Sequence, residues 1–354
     1  MEFWTLGTSS PTQAAGAAQR AEEAGWDGML VVDSQNLSGD SYVALTSMAL
    51  ATTKIGLGTG VTNPVTRHPA VTASAIASLQ RISGGRMVLG IGRGDSALAH
   101  LGKAPAGVGT FARYLEVLQA YLRGEDVPFE RLGFAEQMAP DVATLGLHDT
   151  PDASRLRWLN ERDTKVPVEV ASTGPRVIEA AARHSERVML ALGADPARVS
   201  WGVEAAQAAA RKAGRSIRLG AFVNLACHQD VEVARKLVQG GLTTFARFSV
   251  MHGEVRGTVS DSQKQVLAAL HDEYDMNQHT RADSRQAGVL TPEFIDEYAI
   301  VGPPGHCIDR IRALAQLGID KLTVIGPTAG VGAQAAREAG QLLVTEVLPA
   351  FRGA

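Results

Sequence analysis

The sequence predicts an α/β fold, a single (β/α)8 TIM barrel with two insertion segments. Short apolar segments alternate with helical patterns about eight times along one continuous chain of 354 residues. The apolar segments show no polar alternation, which is typical of parallel strands covered on both faces. Eight such units in one chain favour a closed barrel over a doubly wound open sheet.

The open sheet is the weaker alternative because its dinucleotide-binding turn is missing. That fold carries a GxGxxG sequence directly after the first strand. Residues 7–12 at this place read GTSSPT, and GIGRGDSA at residues 90–97 matches only loosely and follows the fourth strand. We therefore predict the barrel.

The first half of the chain contains four strand–helix units. Gly25 suits the left-handed position that ends a helix, and Pro69 suits the first turn of one. The predicted strands are Phe3–Gly7, Trp26–Asp33, a strand that opens the stretch Lys54–Pro69, and Met87–Gly94, and the predicted helices are Pro11–Gly25, Tyr42–Thr52, His68–Ser83 and Thr110–Arg123.

Two segments interrupt the alternation, at residues 124–165 and 249–297 of a single domain that spans residues 1–354. The first mixes Gly, Pro, Asp and His with no sustained period, and the second is charged, rich in His and helical in pattern. Long irregular segments of a compact domain usually carry a function or are mobile. The remaining predicted elements are Val166–Ala171, Pro175–His184, Arg187–Leu192, Pro196–Ala213, Ile217–Ala226, Val231–Phe248, Tyr298–Gly302, Pro304–Leu317, Lys321–Ile325 and Ala333–Leu348.

The composition argues against several classes of partner. Lys and Arg number 34 against 37 Asp and Glu, so no basic excess indicates a nucleic acid or an anionic membrane. The nine histidines form neither HExxH nor HxH, so we expect no metal site, and we expect His271 and His279 to be exposed. Residues 1–7 read MEFWTLG and no apolar run reaches about 18 residues, so we expect neither a signal peptide nor a membrane span. Cys227 and Cys307 are predicted to be buried or half-buried thiols of a cytoplasmic protein.

Alternating glycines mark the third and fourth strands. Gly56, Gly58 and Gly60 fall on one face of the third strand, and the fourth repeats the pattern from Gly90 to Gly94. Glycine weakens a strand, so such a stripe indicates that something approaches the backbone closely. One interpretation is a flat ligand that lies on the two bare strands. The other is tight packing of barrel layers or helices against small residues.

Two strand-to-helix turns have the composition of an anion site. Ala171–Arg176 (ASTGPR) passes from a strand into a helix through small residues. The Ser172 hydroxyl, the backbone N–H groups of Thr173 and Gly174 and the helix dipole would together bind a phosphate. Gly193–Pro196 (GADP) repeats the arrangement one unit later. Ordinary N-capping by side chains in these turns explains the same residues equally well.

Two carboxylates follow buried strands at the end of a barrel where active sites lie. Asp95 comes just after the glycine-rich fourth strand, where a carboxylate would exchange a proton beside a flat ligand. Asp33, followed by Ser34, ends the second strand and is a candidate acid/base group or cofactor contact. Helix capping is the alternative role of both aspartates.

Longer stretches of the sequence resemble the bacterial luciferase-like oxidoreductases. These stretches are GTGVTNPVTRHPAVTA, SGGRMVLGIGRGDSA, VEVASTGPRVIEAAARHSERVMLALGADP and VGPPGHCIDRIRALAQLGIDKLTVIG. Within that superfamily the chain is most similar to the deazaflavin-dependent branch, which includes methylene-tetrahydromethanopterin reductase. The resemblance runs from Met1 to about Leu348.

The resemblance implies a barrel with coenzyme F420 or FMN at the carboxyl ends of the strands. It implies a bulge in the third strand with a non-prolyl cis peptide at Gly60–Val61, a cofactor phosphate at Ser172–Gly174 and Gly193–Ala194, and a proton donor at Asp95. The predicted catalytic residues are Asp95, Asp33 and Ser34. The predicted cofactor-binding residues are Thr59, Gly60, Val61, Asn63, Gly92, Arg93, Gly94, Ser172, Thr173, Gly174, Gly193 and Ala194.

Two positions depart from the family pattern. Several deazaflavin enzymes have a His where this chain has Ser34, which counts against a His-assisted alcohol oxidation. Reductases of methylene-pterins carry a catalytic Glu in the region that is Trp4–Gly7 here, and this region has none, so pterin reduction is not expected. The two insertions are the variable parts of the family and are expected to shape the pocket and its lid.

We predict an F420-dependent oxidoreductase that transfers a hydride between the deazaflavin and a small organic substrate. One alternative is an FMN-dependent luciferase-like monooxygenase that uses oxygen and reduced flavin. The other is a barrel that binds a flavin or F420 without catalysis. The expected partners are a small-molecule substrate, a flavin or F420 reductase, and a second copy of the chain in a homodimer.

Overall fold

Eight parallel strands close into a barrel, as predicted. The computed structural model describes residues 1–133 and 139–352, so residues 134–138 of the first insertion lie outside the described residues. The strands are β1 (Glu2–Gly7), β2 (Gly28–Val31), β3 (Gly56–Thr59), β4 (Met87–Ile91), β5 (Val168–Ser172), β6 (Arg187–Leu190), β7 (Arg218–Cys227), β8 (Ile300–Gly302) and β9 (Lys321–Ile325). Neighbours in sequence pair from β1 to β7, and β9 closes the ring by pairing with both β7 and β1.

Helices cover the outside of the barrel, and several begin at capping residues that the sequence supplies. The side chains of Asp40, Asp195 and Asp230 accept hydrogen bonds from backbone N–H groups at helix starts, and Ser260 and Gln263 form a capping box. The helices are α1 (Ala14–Glu23), α2 (Ser41–Ala51), α3 (Pro69–Ile82), α4 (Ser96–Ala99), α5 (Val108–Leu122), α6 (Pro175–His184), α7 (Pro196–Lys212), α8 (Val231–Arg247), α9 (Asp261–Glu273), α10 (Pro292–Tyr298), α11 (Pro304–Gln316) and α12 (Ala333–Leu342).

One predicted strand lies outside the ring. The segment predicted as Tyr298–Gly302 forms β8, which pairs with Leu225–Cys227 at the far end of β7. The ten-residue β7 is long enough to pair first with β9, up to Asn224, and then with β8. The second insertion contains α9 and α10, so its predicted helical character is confirmed. The described part of the first insertion contains two short 3-10 turns and a bridge between Val127 and Ser154.

The lower glycines of the stripe make room for the barrel's own packing. A Cβ atom at Gly56 would lie 2.6 Å from the Trp4 ring, and one at Gly90 would lie 2.0 Å from the Thr59 carbonyl oxygen. Such distances leave no space for any side chain. The packing interpretation therefore holds at this level of the barrel, and the ligand interpretation is wrong for these two glycines.

The base of the barrel contains buried charges from several strands. The Lys321 Nζ donates to Glu169 Oε2 at 2.7 Å and lies 3.3 Å from the centre of the Trp4 ring. Arg187 lies beside the same carboxylate, 3.5 Å away, and donates to Glu2 at 2.9 Å. Burial lowers the pKa of Lys321 to about 8, although the Glu169 charge opposes the shift.

Both cysteines are free and buried, as predicted. Within residues 1–133 and 139–352, none of the helices combines the length and the apolar character that a membrane crossing needs.

Candidate active site

A cavity of about 890 Å³ opens at the carboxyl ends of the barrel strands. This volume lies within the range of small-molecule and cofactor sites. Its apolar wall includes Leu6, Phe222, Phe245, Phe248 and Ile325. The predicted site residues that line it are Asp33, Ser34, Gly60, Val61, Asn63, Gly92, Arg93, Gly94, Asp95, Thr173 and Gly174. In the described part of the chain, no three His, Cys, Asp or Glu side chains come together as a metal site would require.

The strand β3 bulges at the floor of the cavity. Gly58 pairs with Val88 whereas Thr62 pairs with Ile91, so β3 has one more residue than β4 over this span. The peptide bond of Gly60–Val61 within the bulge is cis. The bulge and the cis bond confirm what the family resemblance implied, and both residues of that bond line the cavity.

Of the two predicted cofactor contacts next to the bulge, one lines the cavity and the other does not. Thr59 is fully buried, and its hydroxyl donates to the Gly90 carbonyl at 2.6 Å, so it closes the β3–β4 pair beneath the cavity and does not line it. Asn63 does line the cavity, and its Oδ1 accepts from the N–H groups of Val65 and Thr66 at 3.0 Å each. That side chain therefore fixes the loop that follows the bulge.

The end of β4 contributes two glycines and a guanidinium to the cavity. Gly94 has φ +90°, a conformation that favours glycine, and Gly92 before it also faces the cavity. The Arg93 Nε donates to the Ala106 carbonyl at 2.6 Å, which holds the side chain at the edge. Burial lowers the pKa of Arg93, and the nearby charge of Arg176 on α6 adds to the effect. The Arg93 guanidinium at the cavity is therefore repelled by that of Arg176.

The turn from β5 to α6 has the features of an anion site, with one correction. The Ser172 hydroxyl is buried and donates to the Val170 carbonyl at 3.2 Å, so it is not directed to a ligand. Thr173 and Gly174 line the cavity, and the α6 N-terminus has no side-chain cap. Its N–H groups therefore suit a negatively charged ligand. Arg198 on α7 also lines the cavity, 1% exposed, and its Nε has no partner in the described residues.

Tyr298 closes the second predicted anion turn. A Cβ atom at Gly193 would lie 2.4 Å from the Tyr298 ring, and the Ala194 N–H donates to the Tyr298 carbonyl at 2.9 Å. Asp195 caps α7, which is the alternative that the sequence left open. Neither Gly193 nor Ala194 lines the cavity. Their contact with a phosphate stays a prediction, but the amide of Ala194 is already engaged.

The Asp33 carboxylate is held by hydrogen bonds to two side chains beside the bulge. Its Oδ2 accepts from the Thr62 hydroxyl and from the Arg67 guanidinium, both at 2.6 Å. The side chain is buried, so this carboxylate joins β2 to the bulge and does not cap a helix. The neighbouring Ser34 Oγ lies 3.4 Å from the Ser96 Oγ and lines the cavity.

Asp95 pairs with an arginine that the sequence analysis missed. It precedes α4 but makes no side-chain cap, so the capping alternative is wrong. Its carboxylate instead accepts a hydrogen bond from Arg247 in the last turn of α8, and the two side chains are 16% and 11% exposed. The Arg247 guanidinium lies 4.5 Å from the centre of the Tyr274 ring. An arginine in the last turn of a helix ordinarily indicates a favourable dipole interaction, so no specific signal of this pair is present in the sequence.

His279 of the second insertion also belongs to the cavity. The prediction of an exposed histidine is right for His271 but wrong for His279, which is partly buried and lines the cavity. Its Nδ1 lies 2.7 Å from the Tyr274 hydroxyl. Burial lowers the pKa of His279 to about 4, because the Asp95 charge opposes the shift only in part and the Arg247 charge reinforces it.

Known proteins of similar sequence and structure include reductases. The 5,10-methylenetetrahydromethanopterin reductase of Methanolobus tindarius is 27% identical over 317 residues, which cover 88% of this chain and 89% of that protein. The structure of the coenzyme F420 dependent tetrahydromethanopterin reductase from Methanopyrus kandleri superposes with a TM-score of 0.73 at 23% identity, over 99% of both chains. An F420-dependent secondary alcohol dehydrogenase superposes with a TM-score of 0.70 at 17% identity, over 99% of this chain and 98% of that one. The family model described as luciferase-like monooxygenase matches residues 3–321, and the chain therefore belongs to that family.

Proposed function

We propose that this protein is an F420-dependent oxidoreductase that transfers a hydride between the deazaflavin and a small organic substrate. The observation that carries the proposal is the cavity lining, to which Gly60–Val61 and Gly92–Gly94 contribute together with Thr173 and Gly174 at the uncapped start of α6. A flat ring suits such a lining, and a phosphate suits such a helix start. The reductases similar to this chain support the choice, since the Methanopyrus protein is described as coenzyme F420 dependent.

The residues present fit this cofactor. Thr173 and Gly174 would bind its phosphate through backbone N–H groups, and the Arg198 side chain, buried with its Nε unpartnered, would supply charge. The repelling guanidiniums of Arg93 and Arg176 would likewise be stabilised by an anion between them. A bound deazaflavin supplies a carbon that accepts or gives a hydride. The aromatic wall of the cavity would exclude water from that carbon.

We place Asp95, Asp33 and Ser34 at the reacting end of the cavity. Asp33 is held by Thr62 and Arg67 and is proposed to orient the bulge and the ring above it. The Ser34 hydroxyl has one weak contact and is free to turn toward a ligand. Asp95 brings a negative charge that Arg247 engages through one carboxylate oxygen.

Two titrations test which cofactor the protein binds. The purified protein is titrated with F420 and, separately, with FMN, and cofactor fluorescence is followed. A micromolar Kd for F420 without binding of FMN is the expected result, and the reverse result would favour an FMN-dependent monooxygenase. That second candidate would use the same uncapped helix start for the FMN phosphate. It predicts oxygen uptake with reduced FMN from a partner reductase. Binding of F420 without turnover of any alcohol, ketone or enone in a broad panel would favour a non-catalytic barrel.

We propose that the substrate is not a methylene-pterin. The inner face of β1 presents Leu6 to the cavity, and no carboxylate of Trp4–Gly7 reaches it. An apolar side chain there cannot exchange the proton that the family's pterin reductases exchange through a glutamate. Assay of the F420-loaded protein with methylene-tetrahydromethanopterin is expected to give no turnover above background.

We also propose a homodimer formed by the outer face of α2 and α3. The helix α2 has no charged residue from Ser41 to Ala51, yet Val43 and Leu50 are 59% and 74% exposed. Val71 and Ile82 on the neighbouring α3 are exposed as well. A helix that is apolar on all sides is normally buried, and an uncharged face suits a second copy of itself. Light scattering is expected to give twice the chain mass, and the Leu50→Glu variant is expected to be monomeric.

A further inference from the structure

We infer that His279 is the catalytic base or acid that exchanges a proton with the oxygen atom of the substrate. The inference deepens the proposed function and rests on it. The imidazole belongs to the second insertion but lines the same cavity as the residues at the ends of β3 and β4. His252 of the same insertion also lines the cavity, and of these two described histidines His279 is the one whose ring is held by a hydrogen bond to another side chain, that of Tyr274.

Tyr274 engages one of the two ring nitrogens of His279. The Tyr274 hydroxyl lies 2.7 Å from His279 Nδ1 and 3.2 Å from the Thr244 hydroxyl. Arg247 also bonds to this hydroxyl. The same distances allow the reverse direction, which would place the proton on Nε2; we assign the direction in which Nδ1–H donates to Tyr274 and Tyr274 donates to Thr244. The Nε2 atom, which has no partner within residues 1–133 and 139–352, then has a free lone pair. Tyr274 is thus a positioning residue, because it fixes the tautomer and the orientation of the ring.

Asp95 is less suited to the same task. Its Oδ2 is engaged by Arg247, so a proton on that oxygen would compete with the guanidinium. The carboxylate is close enough to His279 for its charge to be felt there. We therefore assign Asp95 an indirect part, in which its negative charge stabilises the imidazolium that forms when His279 takes up a proton.

Oxidation of an alcohol at this site consists of one hydride transfer and one proton transfer. A hydride leaves the carbinol carbon for the deazaflavin of the proposed function, and the electron pair of the O–H bond forms the new C=O bond. The hydroxyl proton passes to His279 Nε2, so that the alcohol is oxidised to a carbonyl compound and the deazaflavin is reduced. Reduction of a carbonyl compound is the same step in reverse, with the imidazolium as the acid. The substrate class is therefore an alcohol or a carbonyl compound whose remaining part is small and apolar, to match the aromatic wall.

Charged and titratable groups face His279 from three other elements. Asp95 follows β4, His100 ends α4 and Arg247 ends α8, while Tyr274 follows α9 in the same insertion as His279. Burial and the neighbouring Arg247 and His100 disfavour the imidazolium, whereas Asp95 favours it. The free base is therefore the form present at neutral pH, and we expect kcat/KM for alcohol oxidation to fall only in acid, as Nε2 becomes protonated.

Chemical modification tests the placement of Nε2 without turnover. Diethyl pyrocarbonate reacts with unprotonated, accessible imidazole nitrogens, and peptide mapping identifies the modified histidines. We expect His279 to react and to be protected at least about fivefold by saturating F420, whereas the exposed His271 reacts equally with and without it. A His279 that does not react, or that reacts unprotected while F420 is bound, would overturn the inference.

Kinetics of matched variants test the chemistry with a secondary alcohol and F420. His279→Gln is expected to lower kcat about 100-fold or more, with the F420 Kd within about threefold, as for a general base. The same variant should lose the acid limb of the pH profile. Tyr274→Phe should lower kcat less and change the histidine 15N shifts that report the tautomer, and His271→Gln should change nothing. Turnover unaffected by His279→Gln would overturn the inference and leave the proposed function intact, whereas F420 binding without any turnover would overturn both.

Discussion

At the scale of single residues, the contact between Asp95 and Arg247 gives the first prediction. Asp95→Asn removes the carboxylate from a guanidinium that is 11% exposed. We expect a loss of about 1–3 kcal/mol in the free energy of unfolding, less than for a fully buried pair because both side chains keep some solvent contact. Turnover is expected to fall far more than F420 affinity, because the charge acts on the proton step. Urea unfolding, F420 titration and steady-state kinetics measure the three quantities.

Asp261→Asn is the matched control for this change. Asp261 pairs with Lys264 on the surface, where both side chains are more than half exposed. Such a pair contributes little, so we expect a change below about 0.5 kcal/mol and normal turnover. Equal losses of turnover and F420 affinity in Asp95→Asn would mean that Asp95 binds the cofactor.

The sequence predicted cavity-lining residues where their position depends on local chain geometry. Asp33, Asp95, Gly60 and Gly92 follow or end apolar strands, so their place at the barrel mouth can be read from the pattern. Arg247 could not be found in this way, because its partner is 152 residues away in the sequence. His279 was missed because a charged, irregular segment gives no sign of the cavity that it covers.

At the scale of elements, the start of α6 gives a prediction about cofactor binding. Arg176 lies in the first turn of α6, close enough to Arg93 for their charges to repel. Arg176→Gln removes one cation from the proposed phosphate site, and we expect the Kd for F420 to rise about tenfold, which corresponds to about 1.4 kcal/mol. The effect should shrink at high salt because the contact is electrostatic and partly exposed.

Arg183→Gln controls for general effects on the same helix. Arg183 lies in the last turn of α6, where it pairs with Glu179 far from the cavity edge. Its loss is expected to leave the Kd unchanged. If both variants weakened F420 binding equally, the start of α6 would not be the phosphate site.

Helices were easier to predict than strand pairing. The predicted helix Pro175–His184 has the observed bounds, since its proline start and basic end are local signals. The bounds of α8 differ from the prediction by one residue at the end. The place of β8 outside the ring could not be predicted, because it depends on how far β7 extends beyond β9. The extension of β7 beyond β9 depends on how β7, β8 and β9 pair, which no single stretch of sequence reveals.

At the scale of the whole molecule, the regular alternation was enough to predict the barrel but not its interior. The charged residues at the base of the barrel lie near the starts of several strands. In the sequence they resemble ordinary polar residues at strand ends. Lys321 and Glu169 are 152 residues apart, yet their side chains meet inside the ring at 2.7 Å. Only closure of the barrel brings them together.

This buried pair predicts how the stability of the barrel depends on pH. Glu169→Gln leaves Lys321 buried beside Arg187 without the carboxylate between them, and we expect the free energy of unfolding at pH 7 to fall by about 3–5 kcal/mol. The pKa of Lys321 is lowered to about 8 by burial, whereas an unfolded lysine has a pKa of about 10.4. Between these values the unfolded chain binds a proton that the folded chain lacks, so the contribution of Lys321 to stability rises with pH.

The destabilisation by Glu169→Gln should therefore be smaller at pH 9.5, where the folded protein no longer holds a charge on Lys321, than at pH 7. Urea unfolding at the two pH values measures the difference. Adding Lys321→Met to Glu169→Gln should recover much of the lost stability at pH 7, because no unpaired buried ammonium remains. Glu179→Gln, which affects an exposed pair, should change stability by less than about 0.5 kcal/mol at both pH values. Equal destabilisation by Glu169→Gln at pH 7 and pH 9.5 would show that the charge of Lys321 is not what the carboxylate stabilises.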